Sequence, residues 1–466
     1  MRILIVDSAH GAPFKEKVIQ AADFSDSWTT VVSEQDAARA IDAVLAIARD
    51  LSGPAAAPDG APLDGARSPE SSTIVAGYAG QAIFFAYLEQ NRPGEGFAEQ
   101  GVDKIERAIE LLAAEASFPG LYQGFSGVAW AAEHLQNGIL AETDDDEDLN
   151  AGVDETLLHL LRQSPWPGHY DLISGLVGLA VYALSRLPRA IAVECLDLVV
   201  DRLAELAVEQ PSGFTWFTPR DRLVDESYDF FTGGNYNLGV AHGVPGVIAV
   251  LARICGAGIA ETKACPLLEG AVSWLLSQRL EDCRALFPTA IGPGVEIRYS
   301  RAAWCYGDPG IAATLLTAAR AAGVASWERE ALEIARHSAA RPFDSTLIRD
   351  GCLCHGSAGL GHLFNRMYQA TGDEVLGQAA LSWYRWTLDQ RRPGQGIGGF
   401  LNWSPTPSKE MVWQADPSFL SGAVGMGLAL LAAATPVEPR WDELLLLSPL
   451  APAADGRSPA WSGTST

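Results

Sequence analysis

The chain is short of basic residues: 33 Lys and Arg stand against 57 Asp and Glu, giving a formal net charge of −24. That shortage argues against nucleic acid or an anionic membrane surface as the main partner, since both are held by basic patches. A secretion signal is also lacking. The start offers at most a five-residue apolar run, and Asp7 and His10 follow at once, too little for a signal sequence. No run is apolar enough to span a bilayer. The longest uncharged stretch, Pro417 to Val437, carries Ser418, Ser421, Gly422, Gly425 and Gly427 and closes on Pro436, so it reads as a buried helix. Cysteines are few and odd in number, seven in all. Without a secretion signal they read as free or metal-bound thiols of a cytoplasmic protein, not as a disulfide framework. Alternating strand patterns are missing too, which points away from sheets.

What the sequence has is apolar mass and a repeat. Hydrophobic residues make up 48%, enough for a large core. Length alone suggests about three domains, but self-similarity along a chain outranks length. A Gly-x-x-Gly pair followed by apolar and small residues recurs seven times. The pairs are Gly77 and Gly80, Gly124 and Gly127, Gly175 and Gly178, Gly243 and Gly246, Gly307 and Gly310, Gly356 and Gly359, and Gly422 and Gly425. Successive first glycines are 47, 51, 68, 64, 49 and 66 residues apart. Each step holds one more helix-period segment with a charged face, such as Asp154 to Arg162, Ala190 to Glu209 and Glu374 to Gln390. The helix after each glycine pair is apolar on nearly all sides and should be buried, with the charged helix facing solvent. Seven such units can close into an α/α barrel or stack as an open solenoid. Closure is favoured because the first and last repeats are as apolar as the rest. Residues 1–70 lie outside the repeat, with a Pro, Ala, Gly and Ser-rich linker from Ser52 to Ser72. Residues 71–435 form the repeat domain, and residues 436–466 read as a loop-like tail.

Chemistry-bearing residues gather just before the glycine pairs of repeats three to six: Asp171, His242, Arg301 to Gly307, and Cys354-His355-Gly356. In a closed ring these positions meet at one mouth. Cys305, Cys354 and His355 make a set of two thiolates and one imidazole that suits zinc with a fourth position open. Cys352 competes as a ligand but stands outside that aligned slot. An open zinc site activates water or takes up a substrate thiol as thiolate. His242 is suited to proton transfer, or caps its helix. Asp171 either orients His242 or serves as an N-cap. Arg301, four residues before Cys305, shares its face on a helical turn and either holds an anion or pairs with an acid. Tyr306 offers a hydroxyl, and Trp304 packs.

These residues resemble the lanthionine synthetase C-like family, the cyclases of lantibiotic biosynthesis. The likeness rests on Trp304-Cys305-Tyr306-Gly307, Cys354-His355-Gly356, Ala241-His242-Gly243, the Asp171 segment and the seven glycine repeats. It implies an all-α fold, an α/α toroid of seven inner and seven outer helices with a loop-rich N-terminal segment. It also implies Zn2+ held by Cys305, Cys354 and His355. The reaction it implies is an intramolecular Michael addition, in which a peptide cysteine thiolate attacks dehydroalanine or dehydrobutyrine and closes a thioether ring. His242 and Asp171 match the family's proton-transfer residues, and Arg301 and Tyr306 stand in its Trp-Cys-Tyr-Gly segment. The implied partners are a dehydrated precursor peptide, a separate dehydratase and an exporter complex at the membrane. With no dehydratase-sized region before residue 70, a stand-alone cyclase is expected.

Four other readings use the same residues or the same fold. Glutathione could replace the peptide thiol at the same zinc site. A prenyltransferase or terpene cyclase would use Asp144 to Asp148 as a diphosphate and magnesium signature, but acid runs in loops are usually solvated. A toroidal glycosidase needs two facing carboxylates, and only Asp171 occupies an aligned slot. A peptide-binding scaffold with structural zinc would keep the ligands without turnover.

Overall fold

The computed structural model of the protein describes residues 28–52, 71–114, 117–138, 148–223, 233–281, 284–406, 408 and 410–448. Cys283 and residues 144–147 of the acidic run lie outside the described residues. Among the described residues, a helix follows every glycine pair. These are α2 (Tyr78–Asn91), α4 (Phe125–Gly138), α6 (Leu176–Ser185), α8 (Val244–Gly256), α10 (Asp308–Ala322), α13 (Ser357–Thr371) and α15 (Ala423–Ala434). Between them run α3 (Phe97–Ala114), α5 (Ala151–Leu161), α7 (Ala190–Leu206), α9 (Glu261–Leu276), α11 (Ala325–Ala339) and α14 (Glu374–Gln390), with the single turn α12 (Phe343–Thr346) and a preceding helix α1 (Glu34–Ser52). The glycine-led helices are buried nearly all round, as for Ala79–Glu89 of α2 and Val244–Cys255 of α8. The intervening helices bury one stripe; α3 buries Ala98, Gly101, Ile105 and Ala108. Both patterns follow from the distribution of charge along the sequence. Pro245 and Pro309 sit in the first turns of α8 and α10, where a missing N–H costs nothing.

The glycine pairs exist because the loop before each helix folds back onto its first turn. A Cβ on Gly77, Gly124, Gly175, Gly243, Gly307 or Gly422 would strike the carbonyl oxygen six residues earlier. A Cβ on the second glycine would do the same: Gly127 faces the Leu121 carbonyl, and Gly359 that of Leu353. The contact is also a hydrogen-bonded turn. Tyr78, Phe125, Leu176, Ser357 and Ala423 each donate their N–H to the carbonyl seven residues back, at 2.8–3.1 Å. A helix start that needs four donors satisfied thus uses its own incoming loop.

The chain folds as two compact units. The first comprises residues up to 157, 349–362 and 381–441. Within it α15 packs on α1 and α2, and α2 packs on α3 and α4. The loops are strung together: Cys354 N–H donates to the Leu420 carbonyl (2.8 Å), Phe419 N–H to Val75 (3.0 Å) and Val75 N–H to Tyr122 (3.1 Å). Repeat seven is thereby bonded to repeat one. The segment before residue 70 was expected to stand outside the repeat as loop. Instead α1 buries Ala40, Ala43, Val44 and Ile47, and the Trp28 Nε1–H donates to the Ala432 carbonyl at 2.8 Å. The one-sided apolar stripe of α1 explains this, because an amphipathic helix must cover something.

The second unit comprises residues 158–348, 363–380 and 442 onward. Here α8 packs on α6, α9 and α10. Leu172 N–H donates to the Ala241 carbonyl (3.2 Å), and Ala241 N–H to Cys305 (3.5 Å). The stretch beyond 436 is not all loop. The 3-10 turn Arg440–Leu445 brings Asp442 to a bidentate pair with Arg366 (2.5 and 3.0 Å), both buried. Leu445 offers its carbonyl to the Trp304 indole N–H at 2.9 Å.

Strands were not expected, yet the three longest glycine-to-glycine steps carry them. β1 (Ala207–Gln210), β2 (Gly213–Thr218), β3 (Asn235–Asn237) and β4 (Ala290–Ile291) form an antiparallel sheet in chain order. β5 (Asn402–Pro405) and β6 (Met411–Gln414) form a hairpin. These strands are two to six residues long, too short to show alternation in sequence. Within the dominant helical architecture they are insertions.

Two glycine substitutions test the reading of the pairs. Gly127→Ala forces a methyl onto the Leu121 carbonyl and should lower stability by about 1–3 kcal/mol. Gly152→Ala, on α5 with open space around it, should raise it by about 0.4–1 kcal/mol. Urea denaturation followed by circular dichroism measures both, and equal effects would remove the packing explanation.

Candidate functional site

The loop before each glycine-led helix carries the candidate residues. Asp171 lies four residues before Gly175, just as Cys352 lies four before Gly356; Cys305 and Cys354 lie two before their glycines; His242 and His355 lie one before. Asp171 therefore shares a slot with Cys352.

In the second unit the fold brings Asp171 and His242 together. Asp171 Oδ2 and His242 Nδ1 are 2.6 Å apart, and Asp171 Oδ1 accepts the Ser174 N–H at 2.8 Å. Gly175 and Gly243 are the N-cap residues of α6 and α8, and neither helix start receives a side-chain cap. The capping role considered for Asp171 and His242 is therefore not the one they play. A carboxylate only accepts, so the proton on the shared bond belongs to Nδ1, and Nε2 is the nitrogen left to exchange protons. Asp171 is buried, whereas the His242 side chain is 34% exposed. Burial disfavours the charge on His242, but the hydrogen bond and charge of Asp171 outweigh it and hold the imidazole above its usual value, with Cys305 adding in the same sense. Burial likewise pushes the Asp171 carboxyl up, and the His242 bond overcomes it, so the group stays below its usual range.

Around this pair lies a cleft of about 60 Å³ lined by residues that include His169, Asp171, His242, Tyr306, Asn235 and Asn237, room for a few waters or a side-chain tip. Tyr306 lies with its ring centroid 6.5 Å from that of His242, near parallel at 28°. Its hydroxyl accepts a hydrogen bond from Asn237 Nδ2 at 3.1 Å. Gly239 admits this arrangement, because a Cβ there would meet the Cys305 carbonyl and the Tyr306 ring. The strand insertion supplies Phe217, Thr218, Asn235 and Asn237 to the wall. Sequence reasoning passed over these residues. The signal was there in the 68-residue step and in the polar Asn235-Tyr236-Asn237 run ahead of Ala241-His242-Gly243.

Cys305 is buried in the second unit. Arg301, half-buried, belongs to the same loop. Residues 302–307 form bends, Arg301 has no regular structure, and α10 begins only at Asp308. The shared helical face proposed for Arg301 and Cys305 is therefore absent. The Arg301 carbonyl instead backs onto Gly307. Trp304 is fully buried, as expected of a packing residue.

In the first unit Cys354 and His355 stand side by side, both partly exposed. The Cys354 Sγ and a His355 ring nitrogen lie within 4.8 Å of one another. Asp350, Cys352 and His355 also offer ligand atoms within 4.8 Å of one another. Cys352 is wholly buried, and burial pushes its thiol up. Asp350 is already used: Oδ1 accepts the Cys352 N–H (3.1 Å) and Oδ2 the Trp403 N–H (2.9 Å). A thiol and an imidazole that reach solvent fit a borderline-soft cation, whereas a buried neutral thiol and a committed carboxylate fit it less well.

The family model described as lanthionine synthetase C-like protein matches residues 68–446. The nisin biosynthesis protein NisC of Lactococcus lactis subsp. lactis is 25% identical over 313 residues, covering 62% of this chain and 72% of that protein. The glutathione S-transferase LANCL1 of Danio rerio is 22% identical over 333 residues, covering 70% and 77%. Among solved structures, nisin cyclase superposes with a TM-score of 0.66 at 19% identity, covering 82% of this chain and 93% of that one. That superposition shows the fold, an α/α toroid. With a match running over most of its length, the chain belongs to the lanthionine synthetase C-like protein family.

Proposed function

We propose that the protein is a lanthionine cyclase acting on a dehydrated precursor peptide. The observation that carries this reading is the Asp171–His242 pair opening on a cleft in a chain of this family. Cys305, Cys354 and His355 are the residues proposed to hold zinc. The donor set fits, and Cys305 and Cys354 occupy the same slot two residues before their glycines. The partial exposure of Cys354 and His355 leaves them reachable, whereas Cys352 is wholly buried. When bound, zinc would keep a substrate cysteine as the nucleophilic thiolate near neutral pH.

The remaining work falls to the protein's own side chains. Attack of a thiolate on the β-carbon of dehydroalanine or dehydrobutyrine leaves an enolate, which must gain a proton at the α-carbon. His242, whose imidazolium is favoured by the Asp171 hydrogen bond and charge and whose side chain is partly exposed, donates that proton from Nε2. Asp171 fixes the tautomer and the ring. The Tyr306 hydroxyl, pinned by Asn237, would serve as a hydrogen-bond donor to the developing charge, and Arg301 adds a fixed positive charge to the same loop. The electrophile is already activated, so modest acid catalysis suffices.

The same tier of residues would serve a reaction in which glutathione supplies the thiol. Offering purified protein a dehydrated peptide with and without its own cysteines, plus glutathione, separates the two by mass. A cyclase yields rings of unchanged mass and no glutathione adduct.

Two predictions follow from the division of labour. Cys305→Ala, Cys354→Ala and His355→Ala should each bring bound zinc well below about one equivalent and abolish ring formation. His242→Ala should keep the metal and slow cyclisation by about 10²–10⁴-fold. Elemental analysis beside a mass-spectrometric cyclisation assay reads both, and full cyclisation by a metal-free ligand variant would sink the assignment. The second concerns pH. A general acid whose value is raised works until pH climbs through that value, so activity should fall on the alkaline side. Asp171→Asn removes the main raising interaction, and the alkaline limb should move to lower pH. A limb that stays in place would exclude His242 as the acid.

A further inference from the structure

One polar side chain in the cleft wall has no task in the chemistry above. Asn235 opens β3 and is 1% exposed. Its Nδ2 and Oδ1 are both buried and make no hydrogen bond among the described residues. Asn237, two residues on, contrasts with it. Asn237 Oδ1 accepts the Gly239 N–H at 2.9 Å and Nδ2 donates to the Tyr306 hydroxyl. Residues two apart on a strand face the same way. Asn235 therefore shares the side of β3 that meets Tyr306, and both asparagines line the cleft with His242 and Asp171. Tyr236 takes the other side and packs on Phe217 and Trp274.

The backbone holds Asn235 in place. Gly234 has a φ of +82°, and a Cβ there would meet the Thr218 carbonyl and the Phe217 ring. Only glycine accepts that conformation at little cost. Thr218 pairs with Asn235 in the antiparallel register. A buried amide with neither donor nor acceptor satisfied is uncommon and calls for a reason.

We propose that Asn235 binds the substrate backbone: its carboxamide pairs with a peptide group of the dehydrated chain lying in the cleft. A carboxamide presents one donor and one acceptor side by side in a plane, which matches the C=O and N–H of the polypeptide. It is neutral, so it imposes no charge requirement on the residues flanking the reacting pair. Asn235 is thus a positioning residue that sets where the dehydro residue lies relative to His242. This rests on the cyclase reading.

The test uses the full-length, zinc-loaded protein and a synthetic peptide with one dehydroalanine and one cysteine. Its serine analogue, which cannot cyclise, serves for binding. Asn235→Leu keeps the size and removes both polar atoms, and Asn235→Asp keeps an acceptor and removes the donor. Both should weaken calorimetric binding of the analogue about tenfold, the scale of one lost interaction. Both should raise KM more than they lower kcat. Asn235→Leu should melt no lower than the parent, because an unpartnered amide contributes nothing to the folded state. Parent-like binding and KM in both variants would mean that the amide meets only water and would overturn the inference while leaving the cyclase reading intact. A lowered melting temperature with equal loss of kcat and binding would assign Asn235 a structural part instead. If the parent neither binds nor cyclises the peptide, the cyclase reading falls, and this inference with it.

Discussion

Everything in this fold depends on the absence of a side chain at two points per repeat. The loop entering each glycine-led helix comes so close to the first turn that a methyl group at either glycine would overlap a carbonyl oxygen. That approach closes the backbone hydrogen bonds of the helix start and fixes the loop as a rigid ledge. Neighbouring ledges then bond edge to edge, Cys354 to Leu420 and Phe419 to Val75 in one unit, Leu172 to Ala241 to Cys305 in the other. The chemistry sits on these ledges, so its geometry is set by main-chain packing and not by flexible loops.

The repeat separates position from identity. Slots four, two and one residues before the first glycine recur, and the side chain in each slot decides what a given repeat does. In repeats three and four the slots hold Asp171 and His242, a proton-handling pair. In repeats five and six they hold Cys305, Tyr306, Cys354 and His355. In repeat seven they hold Ser418, Leu420 and Ser421, with no ligand or base. A scaffold of this kind changes function by substitution at a few fixed places.

The helices, the glycine pairs and the Cys and His candidates were legible in the sequence because each has a strong local signature: period, spacing or side-chain chemistry. Two features were not. The strands are too short to alternate, so the wall of the cleft was invisible apart from the long glycine-to-glycine steps. Arg301 was placed on a helix by counting residues, but the fold-back turn keeps residues 301–307 out of helical geometry. For Arg301 a tertiary contact, the loop packing on its own helix, overrode a count along the chain.

The pairing of α1 with α15 sets an order of events. Trp28 and Ala432 are joined by a hydrogen bond across 404 residues, so α1 leaves the ribosome long before the helix it packs against. Until then the apolar stripe of Ala40, Ala43, Val44 and Ile47 has no native cover, and neither has the matching side of α15. The nascent chain therefore carries a sticky amphipathic segment until α15 has been made, and only then can its first unit become whole.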